Sequence, residues 1–525
     1  MAIAQPPKLV VFISLDQFPY DYIERFRPYF GKHGFNYLLE NGANFTNARY
    51  EYAYLKTGPG HATLLTGAYG HLHGITANHW YDRSQKKVVN CVGDESVIPL
   101  GSESAKCSPR NLELTTMGDA LRLKSGNQAK VIGISNKDRV AILMAGKTGT
   151  AYWIADSVVA SSSYYMSVLP AYITAFNQSG VFQQYFRQEW TETKPDAAVN
   201  MCDVDDAWYE SPSSGLGKTF PHRTVGNDYG EITPSYYGAL DESPFGAELL
   251  LKLGEKIIVA ESLGTRGTTD MLCLGISATD IVGHSFGPNS HEVFDLVLRV
   301  DMQLEIFFSF LQSTLGLDNC LFALSSDHGI APIPEYLKKI SPATDAGRVT
   351  SSQITSIANK ILTNHFSTSQ STSRWVEKVV DSDIYLNREY IDSMHFSMDS
   401  IMHVLRDSVR ATHPFTAAYS RDEIVHGEGL NTFGQKVGRS YFAPRSGDVM
   451  VILKPYYIAA SLGTTHGQPY DYDTHVPLII EGKGIVPGTY TSIVSPADIA
   501  ATLCTLLKLD FPKNREGKVL REALR

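Results

Sequence analysis

Four apolar runs, each closing on polar residues, limit what this chain can fold into more than any other feature. Lys8-Leu9-Val10-Val11-Phe12-Ile13-Ser14-Leu15 is almost continuously apolar, rich in β-branched residues, and stops at Asp16. A strand with one wet face alternates apolar and polar residues; the lack of alternation here marks a strand covered on both faces. The layout returns three times. Lys130-Val131-Ile132-Gly133-Ile134 leads to Asn136-Lys137-Asp138-Arg139, Met271 to Ile276 leads to Asp280, and Cys320 to Leu324 leads to Asp327-His328. Doubly covered strands belong to parallel sheets, whose crossover connections are helices. Amphipathic segments supply these: from about Ser290 to Leu311, Val293, Leu296, Val297, Val300, Leu304, Phe307, Phe308 and Leu311 share one helical face, and Ser495-Pro496 opens another helix carrying Ile499, Leu503, Leu506 and Leu507. The predicted class is α/β, a mostly parallel central sheet flanked by helices. Its polar residues gather at the strand C-terminal edge, where open α/β sheets bind ligands.

A chain of 525 residues accommodates this as one large α/β unit with insertions. Two stretches break the pattern. Residues from about 185 to 245 are rich in Gly, Ser, Pro, Asp and Tyr with little periodicity, which predicts an irregular insertion over the sheet edge. From about 340 to 460 a mixed segment with strand-like Asp448 to Leu453 predicts a second insertion or subdomain. With 43% hydrophobic and 19% charged residues a large core is available. The 46 basic and 55 acidic residues form no basic stripe, which argues against a nucleic-acid surface, and no apolar run approaches a membrane span. Oligomeric state is not readable. Six cysteines are too few for a disulfide scaffold. Cys273, Cys320 and Cys504 read as buried small residues, whereas Cys91 and Cys107 flank a polar stretch and are able to pair in an oxidising compartment. Met1 to Pro7 lacks a basic region followed by an apolar one, so no signal peptide is visible. That fits a cytoplasmic protein, or a mature form given a start methionine.

Chemistry enters at Lys56-Thr57-Gly58-Pro59-Gly60-His61, between the aromatic run Tyr50 to Leu55 and the helix-like run Ala62 to Gly67. A hydroxyl at a helix N-terminus sits where backbone N–H groups and the helix dipole favour an anion, and such a threonine is placed to attack a phosphoryl or sulfuryl centre. The same motif also reads as an N-cap followed by a tight turn. Ligands for a divalent ion accompany it: Asp16, the Asp280/His284 pair at four-residue spacing, adjacent Asp327-His328, and His466 or His475 in the segment that follows Thr464. Mixed Asp/His donors without thiolate suit catalytic Zn²⁺, with Mn²⁺ or Fe as alternatives, since Mg²⁺ and Ca²⁺ prefer oxygens throughout. Each piece alone has an ordinary explanation, such as a helix cap or a surface ion pair worth a few tenths of a kcal/mol. Their convergence on one sheet edge is what predicts a metal site.

These residues resemble a known family. Leu15-Asp16-Gln17, Thr57-Gly58-Pro59-Gly60-His61, Ala77-Asn78-His79-Trp80, Lys137-Asp138-Arg139, Asp280-Ile281-Val282-Gly283-His284, Ser326-Asp327-His328-Gly329 and His466-Gly467 occur in the order seen in the alkaline phosphatase superfamily. Within it they are similar to the phosphate-irrepressible alkaline phosphatases with a type I phosphodiesterase/nucleotide pyrophosphatase-like domain. The resemblance implies an alkaline-phosphatase-like sandwich holding two Zn²⁺ ions, one on Asp16, Thr57, Asp327 and His328 and the other on Asp280, His284 and His466. His466 is preferred to His475 because His-Gly matches the family pattern. Lys137, Arg139 and Asn78 would contact the phosphoryl oxygens, and export to a periplasm or the cell exterior is implied as well.

A threonine alkoxide is a poor prospect at neutral pH until a metal lowers its pKa, and two metals about 4 Å apart stabilise both oxygens of an in-line displacement. The predicted reaction is monoester hydrolysis of broad range through phosphothreonine at Thr57. A monoester dianion needs cationic partners, and Lys137 and Arg139, two apart, would project the same way from an extended segment. A diesterase would instead offer apolar surface to the second ester group, and that reading, a phosphodiesterase or nucleotide pyrophosphatase, is the alternative. A sulfatase is disfavoured because Thr57 to His61 lacks the Cys/Ser-x-Pro-x-Arg context. A phosphoglycerate mutase is disfavoured because it would use Ser with manganese. The non-enzyme alternative is an inactive phosphate-ester binding protein.

Overall fold

Leu9–Leu15 sits in the middle of a ten-stranded sheet. The computed structural model describes residues 6–228, 230–366, 374–427 and 429–525, so the signal-peptide reading of residues 1–5 lies outside it. Successive side chains of a strand point to opposite faces. Leu9, Val11, Ile13 and Leu15 accordingly enter a core cluster with Leu296, Val297, Val300 and Leu304, while Val10 and Phe12 enter a second cluster with Ile499 and Leu503. The strand is buried on both faces for the reason its composition predicts.

From one edge the sheet runs Gly488–Tyr490, Ala43–Arg49, His475–Gly482, Cys320–Ser325, Leu9–Leu15, Asp270–Ile276, Val131–Ser135, Thr150–Ala155, Val158–Ser162 and Pro99–Leu100. The strands from Cys320–Ser325 to Thr150–Ala155 are all parallel. Both flanks turn antiparallel, at His475–Gly482 on one side and at Val158–Ser162 on the other. In the parallel centre Leu15 lies opposite Ile276, Ser14 opposite Ser325, and Ser135 opposite Gly275. The strand ends are level, so the residues past each of them emerge at the same edge.

The helix His291–Thr314 begins where its sequence predicts, with the Ser290 hydroxyl accepting the Val293 N–H at 3.1 Å. The helix expected from Ser495 starts later, at Asp498, because Asp498 and Ser495 close a turn first: Asp498 Oδ2 accepts the Ser495 N–H at 2.9 Å and Ser495 Oγ accepts the Ala497 N–H at 3.2 Å. The 185–245 region holds short elements, among them helices Pro195–Met201 and Pro234–Asp241. Tyr185, Trp190 and Leu240 join the core cluster on one face of the sheet, and Trp190 Nε1 donates to Asp295 Oδ2 at 2.6 Å. Inside the second irregular region, strands Val376–Val380, Asp383–Leu386, Val449–Leu453 and Phe415–Ser420 form a separate four-stranded sheet. Trp375, Leu405 and Val451 share a core cluster there with the helices Ser351–His365 and Met398–Arg410. All six cysteines are free, Cys91 and Cys107 included. No helix among the described residues is long and apolar enough to cross a membrane.

Candidate active site

Level strand ends bring the acidic residues together. Asp16 follows Leu15 directly, and Ser277, just past the neighbouring strand, donates to Asp16 Oδ2 at 2.9 Å. The helix Ala278–Phe286 then carries Asp280 and His284 one turn apart. His284 Nε2 lies 3.2 Å and His466 Nε2 3.8 Å from the same Asp280 Oδ1. On the other side His328 Nε2 lies 3.7 Å from Asp16 Oδ1 and 3.1 Å from Asp327 Oδ2. Two groups of donor atoms therefore converge: Asp280, His284 and His466, and Asp16, Asp280 and His328. Asp280 belongs to both, so the two groups share a wall. Of the two candidate histidines, His466 is the one in the cluster. His475 gives its Nε2 to the Thr46 carbonyl at 2.8 Å and stacks on Tyr20.

Whether these residues fit a metal is decided by the atoms that face inward. His284 Nδ1 is 2.8 Å from the Thr464 carbonyl, His328 Nδ1 2.9 Å from the Gly329 carbonyl, and His466 Nδ1 2.5 Å from the Leu55 carbonyl. A carbonyl only accepts, so each Nδ1 carries a proton and each Nε2 faces the site, the atom an imidazole gives to a metal once it is deprotonated. Asp16 Oδ1, Asp327 Oδ2 and His328 Nε2 are buried without a hydrogen-bond partner. Orphaned acceptors of this kind are costly unless something positive sits among them. The donor set fits divalent cations with mixed nitrogen and oxygen ligands.

Thr57 is buried and opens the helix Thr57–Thr66, with Lys56 in extended conformation before it. Of the first-turn donors, Pro59 has none and the Gly58 N–H is already engaged by Asn78 Oδ1 at 2.7 Å. The helix N-terminus thus offers an anion less than its position suggested, and Asn78 is held with its amide nitrogen free of that bond. His61, whose role the sequence left undefined, links the Thr57 loop to the acidic cluster: its Nδ1 is 2.8 Å from the Thr57 carbonyl and 3.3 Å from Asp327 Oδ2. Gly60 packs so closely that a Cβ there would lie 2.6 Å from Asp327 Cβ. Gly60→Ala is expected to push the Thr57 helix from Asp327 and cost about 1–3 kcal/mol by overpacking; thermal melts with and without an added divalent cation check this, the larger loss expected with the cation.

Charge is unevenly held. Burial, then Asp327, pushes the Asp16 carboxyl up to about 6, whereas in Asp327 the effect of burial is outweighed by His328 and His61 and its pKa falls well below the usual range. Lys137 Nζ lies 2.8 Å from Asp16 Oδ2 and also pairs with Asp280. The expected extended projection of Lys137 and Arg139 is not what the chain does: Lys137 is extended, but Asp138–Ala145 is a helix and Arg139 is its second residue. The reason is that residues 138 to 145 carry their own apolar helical face, which overrides an extended continuation. Arg139 Nε is buried without a hydrogen-bond partner.

The family model for type I phosphodiesterase/nucleotide pyrophosphatase matches residues 10–475. The chain belongs to that family. Its relatives include alkaline phosphatase PafA of Elizabethkingia meningoseptica, 32% identical over 99% of this chain and 94% of the relative. Alkaline phosphatase PhoV of Synechococcus elongatus is 33% identical over 99% and 93%. The solved structure of PafA superposes with a TM-score of 0.93 over the full length of both chains, which places this chain among enzymes of the alkaline phosphatase superfamily. A solved PafA variant replaces a Thr and an Asn 21 positions apart and a Lys and an Arg two apart, the spacings of Thr57 and Asn78 and of Lys137 and Arg139 here. Murine ectonucleotide pyrophosphatase/phosphodiesterase 5, at 15% identity and a TM-score of 0.53, shares the fold.

Proposed function

We propose that this chain hydrolyses phosphate monoesters of broad range through a covalent phosphothreonine at Thr57. The catalytic unit runs the length of the chain with insertions at about 185–245 and 340–460. The reading rests on one arrangement: three imidazoles with outward Nδ1 and inward Nε2, set among Asp16, Asp280 and Asp327, with a buried Thr57 tied to Asp327 through His61. Asp16, Thr57, Asp327 and His328 would hold one Zn²⁺ and Asp280, His284 and His466 the other. Bound there, the two ions would lower the pKa of the threonine hydroxyl and neutralise charge on the attacking and leaving oxygens.

Thr57 Oγ gives up its proton and bonds to phosphorus as the ester oxygen departs in line; the alcohol leaves protonated. Water then attacks the phosphothreonine, the P–Oγ bond breaks, and Thr57 recovers its proton as phosphate is freed. Two inversions give net retention at phosphorus. Asn78, fixed through Gly58, directs its amide to a phosphoryl oxygen, and Lys137 and Arg139 supply the positive charge that a dianion requires. PafA and PhoV carry the name alkaline phosphatase, which supports the monoester reading, and from the same resemblance we infer export to a periplasm or the cell exterior.

Steady-state kinetics on an aryl phosphate and its methyl diester test this. A monoester kcat/KM above the diester value is expected, and a diester preference would reassign the chain as a phosphodiesterase. Stripping the metal should remove turnover by at least about 100-fold, with zinc restoring it; activity that survives an equilibrated chelator would sink the two-ion reading.

A further inference from the structure

Gln17 follows Asp16 and is fully buried in the left-handed region, with φ of 60°. A non-glycine residue persists there only where its surroundings fix it. Two bonds do so. Its main-chain N–H donates to Asp327 Oδ1 at 3.0 Å, and its side-chain Nε2 donates to Asp280 Oδ1 at 2.8 Å. The amide orientation follows from chemistry, because an amide oxygen facing a carboxylate oxygen would repel it. We infer that Gln17 is a positioning residue that sets the rotation of both carboxylates at once, one in each proposed zinc site.

The consequence differs between the two. At Asp327 the Gln17 N–H shares Oδ1 with the His328 N–H, also at 3.0 Å, and together they leave Oδ2, the oxygen without a hydrogen-bond partner, facing His328 Nε2. At Asp280 the amide fixes Oδ1, the oxygen that both His284 Nε2 and His466 Nε2 approach. Space for this amide is made by Gly283 on the facing helix. A Cβ at 283 would lie 3.1 Å from Gln17 Cδ and closer still to Oε1, so any other residue drives the amide off Asp280. A glutamate at 17 would bring a carboxylate against Asp280 and do the same. The backbone contact and the side-chain contact are therefore separable by substitution.

This inference rests on the two-zinc reading, and the measurement is zinc affinity rather than turnover. Zinc-stripped full-length protein is titrated against a chromophoric chelator, for the parent, Gln17→Gly and Gly283→Ala. Gln17→Gly keeps the N–H on Asp327, relieves the left-handed strain and removes the buried side chain together with its amide. Gly283→Ala keeps glutamine at 17 but displaces its amide, and its steric cost is offset in part by the better helix propensity of alanine, so a purely structural role predicts no selective loss at one zinc site. The expected result is one site at parental affinity and the other weakened on the order of 10- to 100-fold in both variants, while the cavity and overpacking costs appear separately in metal-free melting. Two unchanged sites, or two sites that weaken together, would overturn the role of Gln17 while leaving the metal reading intact. Fewer than two zinc ions on the parent chain would overturn both.

Discussion

Thr57→Ala is expected to lower kcat for an aryl phosphate monoester on the order of 10⁵- to 10⁶-fold and to abolish the acid-stable phosphoenzyme. The size reflects what a nucleophile supplies: removing one elsewhere costs about as much as removing its whole catalytic group, because the remaining residues have no oxygen to activate. Binding should change little. Lys137 and Arg139 stay, and the Gly58–Asn78 bond that fixes the loop involves a main-chain N–H the substitution leaves alone. Thr57→Ser keeps the oxygen and gains rotamer freedom, so it should retain turnover within about tenfold of the parent. Rapid quench with a radiolabelled monoester separates the outcomes: the parent and Ser forms trap label on protein, the Ala form does not. Label on the Ala form would assign the nucleophile to another residue, and loss of label with full turnover would mean direct attack by water.

That the proposed nucleophile is legible at all comes from local chemistry. Thr57-Gly58-Pro59-Gly60-His61 is a hydroxyl followed by turn-forming residues at a helix-like start, a pattern that a few residues carry, although the contacts that shape it, Gly60 against Asp327 and the Gly58 N–H on Asn78 Oδ1, come from distant parts of the chain. The central parallel strands are legible for a similar reason, since burial on both faces is written into residues 9–15, 131–134, 271–276 and 320–324 themselves. Strand direction at the flanks is not. Whether His475–Gly482 pairs antiparallel with Cys320–Ser325 depends on a connection some 150 residues long, on which composition is silent. The helical start at Asp138 is hidden because two charges two apart suit an extended segment, and the apolar face that overrules them begins only at Val140. Gln17 and His61 stand in the motifs without a visible role, as their partners Asp280 and Asp327 lie hundreds of residues away.

Replacing both Lys137 and Arg139 by alanine, measured at saturating zinc, should lower monoester kcat/KM on the order of 10³-fold or more while changing the methyl diester by about tenfold. The difference comes from charge. A monoester carries one more negative charge on its nonbridging oxygens than a diester, and a charge-assisted donor removed from a dry site costs about 10²- to 10³-fold in the step it serves. Arg139 is the cleaner of the two, since its Nε is buried without a hydrogen-bond partner and its nearest carboxylate, Asp138, lies 3.6 Å away. Lys137 also sits between Asp16 and Asp280, so its loss leaves those carboxylates to repel one another in metal-free protein. Excess zinc compensates for that, which is why the comparison belongs at saturation and why the metal-free melting temperature should fall in Lys137→Ala and not in Arg139→Ala. If the double variant loses monoester and diester turnover by the same factor, the pair only maintains the site. If it loses neither, both residues are a charged helix start and monoester preference must come from elsewhere around Thr57.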